Sequence, residues 1–382
     1  MKSWKRLAYS AGIIGAVAAA ALPGGWASAS ASPQPFRTFV SPHGRPGGRD
    51  VSCATAGFRS VQLAVDATAP GGTVFVCRGF YRQSVTVIKR LRLIGYRDAE
   101  IDARGFPYGI GLAHSFDVVE GLTVERATAN KRTGAPGDGI LTAGIVRGRL
   151  LASNHDLIGH DITLLNQGAG IDLNSTSWSV AEDNTSIRNG IGINLSNDLR
   201  KPDAHNLVRF NNASYNPGGC GIALADHTGF GVFGNVITRN VTDGNGLGTP
   251  GRPGASSGSG VILASPIRTG GVWDNVISYN RMSGNGHAGV AMHVHFRGPR
   301  FYGNQIIRNL IGRNNLRGDY RDRATTGIYL GSAGSVLITV RFNLISNNQI
   351  GVFTAGPVVI FGKYTNAFRN VRRAFVHYPH FS

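Results

Sequence analysis

Short runs of alternating apolar and polar residues recur along this chain, and most open on the same pair. Gly followed by Ile or Val occurs at Gly109-Ile110, Gly139-Ile140, Gly170-Ile171, Gly192-Ile193, Gly221-Ile222, Gly260-Val261, Gly289-Val290, Gly327-Ile328 and Gly351-Val352, at intervals of 22 to 39 residues. Several continue as Gly-Ile-x-Leu. Extended backbone turns successive side chains to opposite faces, so Ile and Leu share one face and x takes the other. The predicted inward column is Ile171/Leu173, Ile193/Leu195, Ile222/Leu224, Val261/Leu263, Val290/Met292 and Ile328/Leu330. Burying each such side chain contributes about 1.5–3 kcal/mol before entropy is counted.

A second pattern runs in phase with the first. Asn residues five apart occur at Asn184/Asn189, Asn206/Asn211, Asn211/Asn216, Asn235/Asn240, Asn275/Asn280, Asn304/Asn309 and Asn343/Asn348. Asn suits tight turns because it tolerates left-handed backbone and bonds to nearby main chain. Between two such turns lies a strand too short for an ordinary hairpin rhythm. Units of this length cannot bury their apolar faces alone, so they must stack. The expectation is an all-β chain of coils, each strand pairing with its equivalent in the next coil. Equivalent Asn amides would then bond to one another along the axis. Before the repeat, FRSVQLAVDAT spaces its apolar residues as a short amphipathic helix, and Pro70-Gly71-Gly72 stops it. Strand patterns follow at 73–77, 84–88, 90–95 and 99–103.

The stretch CATAGFRSVQLAVDATAPGGTVFVCRGFYRQSVTVIKRLRLIGYRDAEIDA resembles the N-terminal cap and first coils of the pectin-lyase-like superfamily. The later N-x-I-x-x-N and G-I-x-L units resemble its right-handed parallel β-helix repeats over about residues 51–370. The resemblance implies a single-stranded right-handed parallel β-helix of about ten coils across 71–370. It also implies a capping helix at 57–69, three parallel sheets, and a groove along one sheet where family enzymes bind polysaccharide. That superfamily contains lyases, hydrolases, esterases, epimerases and non-catalytic surface proteins, so fold does not decide activity. The Asp183-Asn184-Thr185-Ser186 string departs from the polygalacturonase Asn-Thr-Asp motif. Asp203-Ala204-His205 lacks the Pro of the epimerase Asp-Pro-His motif. No family catalytic residue carries over.

Residues 1–31 read as a signal peptide: Lys2, Lys5 and Arg6, an apolar run from Leu7 to Leu22, then Ala-Ser-Ala sites at 27–31. The alternative is an uncleaved anchor. No later segment is apolar enough to span a membrane. Residues 32–50, rich in Pro, Ser, Gly and Arg, read as a flexible linker, and 51–382 as the β-helix domain. Secretion permits a disulfide, expected between Cys53 and Cys77, with Cys220 left as a buried thiol. The formal charge is +18, carried mostly by Arg. That favours an acidic partner such as a uronate or other cell-wall polymer, against the alternative of a merely solvated surface. The Arg residues are dispersed and no nucleic-acid motif is present, so nucleic acid is not expected. Nothing in the sequence sets the oligomeric state.

Outward positions of the repeat nominate the chemistry. His227, His293, His295, Asp226 and Arg297 are the candidate catalytic groups, and Asp172, Asn194, Arg268 and Tyr329 the candidate substrate-binding groups. β-Elimination from a uronate needs a base for the proton beside the carboxylate and a cation for the resulting charge. Imidazole and guanidinium supply those types. The His and Asp residues could instead hold a metal, a divalent cation such as calcium being the candidate. Two long coils, 241–259 and 312–326, are expected to overhang this column. The sequence thus predicts a secreted protein that binds or processes an acidic polysaccharide, by β-elimination rather than hydrolysis because no paired-carboxylate motif is evident. The alternative is a non-catalytic β-helix of the cell surface.

Overall fold

The computed structural model describes residues 35–381 except 48, 131, 249–257 and 319–321. The signal-peptide expectation for 1–31 lies outside the described residues. The repeat folds as an all-β parallel β-helix whose coil has three faces. Strands of the first face run from Arg37–Val40 and Thr73–Val76 through Val180–Glu182, Leu207–Arg209, Val236–Thr238, Val276–Ser278 and Gln305–Ile307 to Val358–Phe361. They stack as a sheet of twelve strands, one per coil, against about ten expected. The second face begins as Gly79–Arg82, Ala99–Asp102, Thr123–Glu125, Ile162–Leu164 and Thr185–Ile187. The third face carries the Gly-Ile runs: Asp138–Leu141, Ala169–Asn174, Ile191–Ser196, Ile222–Ala225, Val261–Ser265, Val290–Val294 and Thr326–Ser332.

Register follows the repeat. Ile171 pairs with Ile193, Ile193 with Ile222, Ile222 with Val261, Val261 with Val290 and Val290 with Ile328. The predicted inward column is wholly buried and belongs to one continuous core. Polar residues hold the corners. At the corner between the first and second faces, the backbone N–H and Nδ2 of Asn211 both donate to Oδ1 of Asn240, at 2.9 and 3.0 Å, and Asn240 repeats this on Asn280. Backbone N–H to Oδ1 bonds likewise join Asn189, Asn216, Asn245, Asn285 and Asn314 at the second corner, and Asn206, Asn235, Asn275 and Asn304 at the third. Each corner therefore satisfies its buried backbone donors by side chains rather than water.

The N-terminal region differs from its reading as a linker. Arg37–Val40 pairs in parallel with Thr73–Val76, so the 32–50 segment supplies the first strand of the first face. Asp50 fixes it, accepting from the N–H groups of Phe39 and Gly57. Arg-Thr-Phe-Val carries no alternation, and Pro and Gly surround it. Helix α1, Val61–Ala67, falls within 57–69 and buries Val61, Ala64 and Val65 against the core. Cys53 and Cys77 form a disulfide, and Cys220 is a buried thiol. No helix among the described residues is long and apolar enough to cross a membrane.

Candidate functional site

The outward side of the third face gathers carboxyl groups on three consecutive coils. Asp172 and Asn194 lie opposite each other in paired strands, and Asn194 Nδ2 donates to Asp172 Oδ1 at 2.9 Å. Asp198 follows two residues beyond the end of its strand. Its Oδ2 accepts from Ser196 Oγ at 3.0 Å and Asn174 Nδ2 at 3.4 Å; the same two groups reach Asp172 at 3.4 and 3.3 Å. On the next coil His227 places Nδ1 2.7 Å from Asp198 Oδ1. Beneath, Asp138 accepts from the Ala169 N–H at 2.7 Å and faces Asp172.

Burial and proximity push these groups apart in charge. Burial raises Asp172 to about 7, and the Asp198 charge adds to it. Asp138 is also raised, by burial and then by Asp172. Burial works against the charge of Asp198, but the hydrogen bond and charge of His227, with Ser196 and Asn174, outweigh it and hold the carboxyl low. Burial likewise opposes a charged His227; the Asp198 hydrogen bond and charge prevail and raise it. The set is a hydrogen-bonded imidazole–carboxylate pair resting on carboxyls that burial shifts upward, so neighbouring groups of one cluster are pushed in opposite directions. The His227 side chain keeps 41% of its exposure, so it is the member that faces outward. One wall is the antiparallel hairpin Ala143–Val146/Arg149–Ala152, whose Leu150 packs with Leu199 on Leu141, the residue paired with Asp172.

Three predicted residues thus meet here: Asp172, Asn194 and His227. Asp226 does not join them. Its strand ends at Ala225, and the chain turns the Asp226 carboxylate under the loop. There it accepts from Asn197 Nδ2 at 2.6 Å and from the N–H groups of Gly229 and Gly271, and it is fully buried. It shapes a turn rather than exposing a catalytic group. His293 pairs with Ala264, which pairs with Ala225, so His293 and His295 sit two coils beyond His227, about 10 Å along the axis. They form a separate aromatic group. Buried Tyr329 stacks between His293 and Phe353, with centroids at 5.1 and 5.5 Å, and His287 and Phe381 close around it. Arg268 lies over the Phe296 ring at 4.8 Å. Arg297 lines a cleft with Ser332, His380 and Phe381. The described ends of the 241–259 loop adjoin the opening end of the Val261–Ser265 strand, where Ser259 N–H donates to Cys220 Sγ; residues 249–257 lie outside the described residues.

Asp198 and Asp138 escaped the sequence reading, and so did the carboxylate pairing that was expected to be lacking. Asp172 and Asp198 come from different coils, so no linear motif joins them. A signal existed for Asp198. Ser196 and Ala225 are in register, and Asp198 and His227 each follow them by two residues.

Solved structures share this architecture. A pectate lyase superposes with a TM-score of 0.56 at 15% identity over 86% of this chain and 78% of that one. The A-module of an Azotobacter vinelandii mannuronan C-5 epimerase gives 0.56 at 19% over 84% and 92%. The surface adhesin PfbA of Streptococcus pneumoniae gives 0.51 at 13% over 82% and 86%. The chain shares the parallel β-helix fold of these proteins. Within that class, residues 142–318, less than half of the chain, match the family described as periplasmic copper-binding protein (NosD). No curated protein sequence matches the chain. Among the described residues no group of three or more His, Cys, Asp or Glu side chains is arranged to hold a metal ion, and His287, His293 and His295 contact aromatic rings.

Proposed function

We propose that this is a secreted enzyme that cleaves an acidic polysaccharide, with His227 as its proton-transfer group. The observation that carries the reading is the 2.7 Å contact of His227 with Asp198 beside carboxyls that burial shifts upward. Asp198 fixes Nδ1 and leaves Nε2 as the outward proton carrier. An imidazolium there can donate to the oxygen of the leaving sugar. The upward shift of Asp172 and Asp138 reduces their charge beside a uronate chain, and the basic surface favours its approach. Fold neighbours that are named as a pectate lyase and a mannuronan epimerase support polysaccharide as the substrate class.

The test is incubation of the protein with a panel of uronate polymers, reading new reducing ends and ultraviolet absorbance in parallel. Reducing ends with absorbance report elimination; reducing ends without it report hydrolysis. Replacing His227 with Ala should lower the rate at least about 100-fold. Absence of cleavage on every polymer, or an unimpaired His227→Ala protein, would overturn the proposal. Binding without cleavage would return the protein to the non-catalytic class.

A further inference from the structure

The corner between the first and second faces carries a second feature, remote from the carboxyl cluster on the third face. Ahead of each ladder asparagine sits one residue in left-handed backbone: Phe210, Arg239, Tyr279, Arg308 and Phe342, with φ between 54° and 58°. L-residues adopt this conformation at a cost of about 1–2 kcal/mol, and here each throws its side chain outward from the corner. Consecutive coils hold them in line, since the N–H of Phe210 donates to Thr238, Arg239 to Ser278, Tyr279 to Ile307 and Arg308 to Arg341.

The side chains alternate aromatic and cationic. Arg239 lies over the rings of Phe210 and Tyr279 at 5.5 and 5.9 Å. Arg308 lies over Tyr279 and Phe342, at 5.7 Å each, and donates to the Tyr279 hydroxyl at 2.9 Å. Arg209 and Arg341 close the two ends over Phe210 and Phe342. Only Arg209 is neutralised, by Glu182 at 2.7 Å. Among the described residues, Arg239, Arg308 and Arg341 make no ion pair with a carboxylate. Lys363 over Tyr364 continues the series just ahead of Asn366, the last asparagine of this corner.

We propose that this ridge is a second binding surface, for a strand of anionic polysaccharide lying along the helix axis. Arg239 and Arg308 are two coils apart, about 10 Å, so an extended chain meets uncompensated guanidinium groups at regular intervals. Guanidinium forks take carboxylates in paired hydrogen bonds. Stacking between rings immobilises them beforehand, which reduces the ordering cost on binding. The same stacking disfavours single-stranded nucleic acid: base recognition needs open aromatic faces, and here those faces are covered by arginine. The surface does not depend on the chemistry proposed for His227.

The experiment measures retention of the whole protein, and of its His227→Ala variant so that cleavage is not mistaken for weak binding, on immobilised polygalacturonate. Neutral dextran and a single-stranded oligothymidylate are the comparisons. The Arg239→Ala/Arg308→Ala double variant should lose at least tenfold in affinity while unfolding at the wild-type temperature. The Arg239→Lys/Arg308→Lys variant should recover part of that affinity, and retention should weaken as salt rises. Equal binding by the double alanine variant, no binding by wild type, or tighter binding to the oligothymidylate would each overturn the proposal.

Discussion

The backbone N–H of Asp117 donates to Oδ1 of Asp156 at 3.0 Å, which puts two aspartates on consecutive coils of a corner that later uses asparagine. Asp117 Oδ1 accepts from the Leu91 N–H, while its Oδ2 meets no donor among the described residues. Burial pushes Asp117 up to about 8, and the charge of Asp156 adds to the effect. The folded chain then keeps a proton that the unfolded chain releases near 3.8. The stabilising effect of that proton is complete below the unfolded value and is lost as pH rises through about 8. Asp117→Asn replaces the proton by an amide. Guanidinium unfolding should show the variant more stable by about 1–3 kcal/mol at pH 8 and little changed at pH 4. Equal gains at both pH values would contradict this.

The ladder itself makes a sharper demand. Asn240→Ala removes the oxygen that accepts from both Asn211 donors and the amide that serves Val208 and Asn280. Orphaned buried donors and acceptors should cost on the order of 3 kcal/mol. The neighbouring exposed Arg239→Ala should change stability by less than about 0.5 kcal/mol. The two unfolding midpoints, measured side by side, separate the corner's interior from its exterior.

Architecture was legible because it is written by repetition: Gly-Ile alternation gives inward residues and Asn spacing gives corners, both independent of distant contacts. Arg37–Val40 was not, because a single strand amid Pro and Gly has no repeat of its own. At the site, Asp172 and Asn194 were legible as outward positions within strands. Asp226 misled because it stands beyond a strand end, where alternation stops predicting direction. The His227–Asp198 contact depends on the register between two coils, which one sequence shows only when the repeats are aligned by their Gly-Ile pairs.

The same contact predicts a pH signature. Asp198 raises His227, so Asp198→Asn should lower the imidazole pKa. If His227 acts as the acid, the alkaline limb of the rate profile should move to lower pH in Asp198→Asn, beyond any loss of maximal rate. An unmoved limb would assign Asp198 a purely structural part.

The disulfide gives a thiol count. Native oxidised protein should react with a thiol reagent at no position, and denatured protein at Cys220 alone, because Cys220 is buried and its thiol is pushed up to about 11 by that burial. Cys53→Ser/Cys77→Ser opens a loop of sequence separation 24 and should cost roughly 3 kcal/mol in unfolding experiments. A second reactive thiol in the oxidised, denatured protein would contradict the pairing.

Because every corner repeats at one strand spacing, the molecule is a ruler as well as a scaffold. Sequence insertions at a loop leave the graduations unchanged, whereas adding or deleting one whole coil displaces everything beyond it by about 4.8 Å. The distance from His227 to the Tyr329 stack, and the pitch of Arg239 to Arg308, can therefore change only in whole steps. Variation in such a chain is quantised along its axis and free at its edges, so the length of surface it presents is set by the number of coils.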